Sequence, residues 1–246
     1  MIIKLLLWKK TQISESPIPY DALLPIMTPR LKKAEVKRVM KTYLEIREDV
    51  EERCQDFKRV WSGGSDETIY KELVFCLLTP QSKARSCWTA VERLEEKGLL
   101  FRGSKTQISK ALTGVRFHNN KAGNLVEARK RFCKGGRPRI RECLSTFGDA
   151  REAREWLVFS IKGLGFKEAS HFLRNIGLGG DLAILDRHIL KNLVVIGALE
   201  EVPSSMSKHR YLEIENEMIR AAKKMDIPLA HLDLVLWYKE AGEVFK

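Results

Sequence analysis

The chain predicts an all-α fold, and three features carry that expectation. Apolar residues recur at helical spacing along nearly the whole length from Leu31 onward. Alternating strand patterns are nearly absent, and no strand–helix repeat of the kind that builds a parallel sheet occurs. The 246 residues suit one large domain or two small lobes, and with 44% hydrophobic and 31% charged residues they can bury a core and stay soluble. Residues 1–29 are expected to form an N-terminal extension, because they hold four of the eight prolines (Pro17, Pro19, Pro25, Pro29). Residues 30–246 are expected to form the folded domain.

The elements follow in order. "LKKAEVKRVMKTYLEIREDVEERCQDF" sets Val36, Val39, Met40, Tyr43 and Leu44 at helical spacing between charges. "SDETIYKELVFCLLTP" opens on a Ser or Asp cap and stops before Pro80, so the run Leu73 to Leu78 predicts a buried core helix. Further helices are predicted at 82–97, 105–112, 119–133, 139–146, 149–160, 166–176, 186–196, 207–225 and 229–240. The opening "MIIKLLLWKK" is too short to span a bilayer and makes a poor signal peptide, so no membrane association is expected.

A net charge of +12, from 44 Lys and Arg against 32 Asp and Glu, points to a polyanionic partner, of which nucleic acid is the commonest; the alternative is solubility alone. The five cysteines lack CxxC spacing, which argues against a structural zinc or a four-cysteine iron–sulfur cluster and fits buried thiols in a reducing cytosol. No HExxH pair and no GxxxxGK[ST] loop occur, and "GLGFKE" follows a helix rather than a strand, so it is not a dinucleotide fingerprint. No metal ligands are predicted.

The chemistry concentrates between 150 and 190. "REAREWLVFSIKGLGFKEASHFLRNIG" reads as helix, tight turn, helix. Ala153, Trp156, Leu157 and Phe159 supply one apolar face; Ala169, Phe172, Leu173 and Ile176 supply the other. Gly163 and Gly165 bracket Leu164, which is expected to face inward, and the turn would aim amides at a phosphate. Lys167 falls in the first turn of the second helix, where a cation is disfavoured and an amine is more readily a nucleophile; the bland alternative is a surface lysine touching phosphate. Asp186, in "LAILDRHIL", can cap the following helix, and a carboxylate held there can also serve an amine or a developing sugar cation.

Together these residues resemble the helix-hairpin-helix–GPD superfamily of base-excision DNA glycosylases, in which the hairpin is followed by a lysine in bifunctional members and then, nineteen residues on, by an aspartate, as Lys167 and Asp186 are here. The resemblance implies a two-lobed helical fold with the active site between the lobes, Lys167 as Schiff-base nucleophile and Asp186 as catalytic acid. "KGLG" stands where many members have "PGVG", and the terminal cysteine cluster of the endonuclease III branch is missing. "LLTPQSKARSCWTAVERL", "GVRFHNNKAGNLVEAR" and "LAHLDLVLWYKEAGEVFK" look like the type 2 8-oxoguanine DNA glycosylases, whose C-terminal lysine and its carboxylate form part of the base pocket; this puts Lys246 in that role.

Such an enzyme must flip its base and stack it on flat side chains. Phe117 and Trp237 are the candidate walls, with core packing the alternative for each. The resemblance further implies damaged duplex DNA as partner, a monomer, a prokaryotic cytoplasmic and nucleoid-associated setting, no required cofactor, and at most a monovalent cation on hairpin carbonyls. A glycosylase for another lesion and a non-catalytic DNA-binding hairpin are the competing readings.

Overall fold

The computed structural model describes residues 30–246; the expected N-terminal extension lies outside the described residues. These residues form 13 helices and one two-stranded ribbon, an all-α protein as the apolar spacing predicts. In chain order they are α1 (Lys33–Glu45), α2 (Arg47–Ser62), α3 (Asp66–Leu78), α4 (Ala84–Glu96), α5 (Leu99–Arg102), α6 (Lys105–Ala111) and α7 (His118–Phe132). The ribbon β1 (Cys133–Lys134) and β2 (Arg137–Pro138) comes next, then α8 (Ile140–Leu144), α9 (Ala150–Ser160), α10 (Phe166–Asn175), α11 (Arg187–Ile196), α12 (Lys208–Met225) and α13 (Leu229–Ala241). No helix among them is long and apolar enough to cross a membrane.

Short polar side chains set many of the starts. Ser65, Ser104, Asp149, Asp186 and Ser207 each accept a backbone N–H from the first turn they precede, and Ser104 with Gln107 closes a reciprocal capping box. Three features depart from the sequence expectation. The first helical stretch is two helices, broken at the buried Ile46, whose φ of −117° and ψ of 15° stop the first and start the second. The short α5 follows Gly98 in a left-handed conformation. Phe159, expected on the buried face of α9, is 70% exposed, while Trp156 and Leu157 beside it are fully buried.

Two hydrophobic cores organise the molecule. One runs from Ile69 to Leu182 and takes in Phe245; the other joins Val39–Phe57 to Ala183–Leu236. From residue 30 the described chain therefore enters the second core, builds the first, returns, and sends its tail back across. Buried polar contacts pin the cores together. Arg154 of α9 meets Glu215 of α12 through two bonds of 2.6 and 2.8 Å, with Arg154 wholly buried and Glu215 nearly so. Glu215 also accepts the Ala183 amide at 2.9 Å, and the Tyr211 hydroxyl donates to the Ala183 carbonyl at 2.7 Å. These bonds hold the irregular "LAIL" segment that delivers Asp186, satisfying backbone groups that no strand or helix satisfies.

Candidate active site

The turn between α9 and α10 is shaped by its two glycines in different ways. Gly163 has φ of +86°, a conformation that favours glycine, and a Cβ there would also displace the Asn124 side-chain amide. Gly165 has ordinary extended backbone (φ −87°, ψ −177°) and precedes α10 as its N-cap, where no side chain caps the helix. The first amides of α10 are thus left for an outside acceptor, the arrangement an anion uses. Leu164 between them is buried, as expected.

Lys167 projects from this first turn and is half-buried. Its Nζ lies 3.2 Å from Glu168 Oε1 and 3.4 Å from Thr79 Oγ1, at the end of α3. The Thr79 hydroxyl donates its own proton to the Cys76 carbonyl at 2.8 Å, which turns a lone pair toward the amine. Asp186 is the N-cap of α11: Oδ1 accepts the amides of His188 and Ile189, each at 2.8 Å. No ion pair joins Asp186 to Lys167 among the described residues, and the role the structure shows directly for Asp186 is the cap. Asp233 on α13 feels both charges. Burial pushes its carboxyl up to about 7, Arg174 at 3.3 Å pulls it down, Asp186 adds to the rise and Lys167 opposes it. Trp237 stands one helical turn beyond Asp233 on α13 and is half-buried.

The tail reaches the same region from the other side. Phe245 is buried edge-on against Phe75, with the Arg85 guanidinium 3.9 Å above its ring centroid. The Lys246 ammonium lies 3.6 Å from the centroid of Trp88 and pairs with the buried Glu72, whose other oxygen accepts from Asn175 at 3.0 Å. His171 of α10 packs edge-on to Phe75 and beside the Lys246 main chain. Burial holds its ring well below the ordinary 6.5, and Arg174, Lys167 and Lys246 push the same way. Lys167 and Lys246 both act on the wholly buried Cys76, so the tail and the hairpin lysine share one neighbourhood.

Comparison with known proteins fits this geometry. Residues 50–227 match the family model of the 8-oxoguanine DNA glycosylase (Ogg-HhH). The chain belongs to the 8-oxoguanine DNA glycosylase family. An 8-oxoguanine DNA glycosylase/AP lyase of Fusobacterium nucleatum is 43% identical over 217 residues, covering 88% of this chain and 100% of the relative. One from Korarchaeum cryptofilum is 43% identical over 82% of this chain and 92% of its own. Among solved structures, the Thermotoga maritima 8-oxoguanine DNA glycosylase superposes with a TM-score of 0.78 at 33% identity, covering 87% of this chain and 99% of that one. The Methanocaldococcus jannaschii 8-oxoguanine glycosylase/lyase, in complex with a 15mer DNA containing 8-oxoguanine, gives 0.76 at 34% identity, covering 86% and 99%.

In this glycosylase Gly163, Gly165 and Lys167 share the hairpin, Asp186 caps α11, and Lys167 and Lys246 both act on Cys76 and His171; Trp237 stands on α13, one turn beyond Asp233. Phe117 is not core: it is 56% exposed, with φ of +57°, at the head of α7, so its ring is open to a partner. Sequence reasoning missed Glu72, Trp88, His171, Glu168 and Asp233. Asp233 sits in an otherwise apolar stretch, "LAHLDLVLW", and a lone acid there is the one signal that could have drawn notice.

Proposed function

We propose that this glycosylase removes 8-oxoguanine from duplex DNA and nicks the resulting site, with Lys167 as the nucleophile of both steps. The amine attacks C1′ of the flipped nucleotide; the N–C1′ bond forms as the C1′–N9 bond breaks, and the base leaves with the electron pair and collects a proton. Ring opening gives the imine, loss of a C2′ proton expels the 3′ phosphate, and hydrolysis returns the amine. Asp186, its Oδ1 fixed by two amides, presents negative charge to the sugar as positive charge develops. Lys246, held by Glu72 and Trp88, lines the base pocket with Trp237. The reading extends to a monomer acting in a prokaryotic cytoplasm, with any monovalent cation on the hairpin carbonyls aiding DNA binding and taking no step in the chemistry.

The observation that carries this is Lys167 in the first turn of α10, half-buried, with Nζ 3.2 Å from Glu168 Oε1 and 3.4 Å from Thr79 Oγ1. Borohydride trapping on duplex carrying 8-oxoguanine tests it. The wild type should form the covalent adduct and Lys167→Gln should not, while still binding damaged DNA; an adduct with the variant would remove Lys167 from the role. A thymine-glycol duplex trapped faster than the 8-oxoguanine one would favour a different lesion.

A further inference from the structure

We propose that Glu168, rather than Asp186, is the base that takes the proton from Lys167, leaving Asp186 to stabilise the sugar cation; this rests on Lys167 being the nucleophile. A resting lysine is an ammonium and cannot attack until a neighbour accepts a proton. The carboxylate in contact with it is Glu168, 3.2 Å from Nζ, whereas Asp186 spends Oδ1 on the amides of α11 and makes no ion pair with Lys167. The Lys167–Glu168 pair is also secluded, with side chains 22% and 13% exposed, so water screens it less than a surface pair.

Two further features fit a proton acceptor. A Cβ on Gly165 would stand 3.0 Å from Glu168 Oε2, so the carboxylate lies against the hairpin turn itself. Glu168 also lines both grooves flanking the hairpin, one with Pro80 and Gly163 and the other with Ser204 and Tyr211, so a proton it accepts has a path to water. Thr79 Oγ1 steadies the amine from the opposite side. The charged and titratable groups facing the pair come from each packed element: Lys121 of α7, Cys87 of α4, Cys76 of α3, His171 of α10, Asp233 of α13, and Lys246. Two carboxylates in unlike settings can then divide the work, one exchanging a proton and one holding charge.

The step balances. Lys167–NH3+ and Glu168–COO− become Lys167–NH2 and Glu168–COOH; the amine forms its bond to C1′ as the base departs; the Glu168 proton passes to the departing base or to water.

The experiment is single-turnover cleavage and borohydride trapping by the full chain, on 8-oxoguanine duplex and on a preformed abasic site, from pH 6 to 10. Glu168→Gln should slow both substrates roughly 10²-fold near pH 7, as loss of a positioned base does. Its rate should climb tenfold per pH unit toward the alkaline end as free amine accumulates. A Glu168→Gln rate equal to wild type overturns the proposal. So does a deficit that stays constant with pH, which would mark a residue that only positions the lysine. If Glu168→Gln melts early, Glu168→Asp, which withdraws the oxygens from Nζ, should shift the profile to higher pH, and an unshifted profile overturns the proposal equally. A covalent adduct with Lys167→Gln would instead bring down the nucleophile assignment itself, which keeps the two failures apart.

Discussion

Asp186 caps α11 and, in the proposed mechanism, also holds negative charge against the sugar. Asparagine caps a helix nearly as well as aspartate, so Asp186→Asn should leave the melting temperature close to wild type while slowing base release by roughly 10²–10⁴-fold. Single-turnover excision beside a thermal melt reads both at once, and near-normal excision would leave Asp186 a cap alone. Lys167 and Asp186 stood out in the sequence because their spacing after the glycine turn resembles the helix-hairpin-helix–GPD pattern, and the structure puts Lys167 in the first turn of α10 and Asp186 at the cap of α11. Glu168 did not, although it is the very next residue: only the fold shows that its side chain curls back to the amine while Asp186 faces α11. For Phe117 the sequence left wall and core open; nothing local reveals that its backbone is left-handed and its ring exposed, which removes the core alternative.

Among the elements, the tail after α13 carries the most specific expectation. Phe245 and Lys246 fill a receptor made by Phe75, Trp88, Glu72 and Arg85, contributed by α3 and α4 from far earlier in the chain. Deleting both residues should depress 8-oxoguanine excision by one to two decades, because a polar pocket group lost from a buried site costs about 1–3 kcal/mol. Glu72→Gln should give part of the same defect by releasing the Lys246 ammonium. Excision at the wild-type rate by both variants would detach the tail from the base pocket. The caps at Ser65 and Asp186, the turn and most helix boundaries were readable from sequence, since each depends on neighbours within one turn. The break at Ile46 was not, because the charged and apolar residues around it continue the helical pattern on both sides and tertiary packing of Ile46 decides the bend.

For the molecule as a whole, stability rests on buried polar contacts that join the cores. Glu215→Gln should cost about 3–5 kcal/mol, since it leaves the wholly buried Arg154 guanidinium facing a neutral amide; denaturant unfolding measures this, and a loss under 1 kcal/mol would show that the pair is dispensable. His171 makes a separate, pH-dependent contribution. Its ring stays neutral in the folded state while the unfolded chain takes up a proton near the ordinary 6.5, so folding stability falls as pH drops below that value. The slope from this group is about 1.4 kcal/mol per pH unit. His171→Asn should therefore lose less stability than wild type between pH 6.5 and 5, whatever its stability at neutral pH, and parallel curves would refute the assignment.

The boundary between the two cores falls between Leu182 and Ala183, so the helix that carries Lys167 packs mainly into one core and the helix that Asp186 caps packs into the other. Glu215 holds the Ala183 amide at that crossing while it grips Arg154 of α9. The spacing of amine and carboxylate is therefore set by contacts that neither residue makes, so a substitution at Glu215 should reach the chemistry without touching a residue of the site.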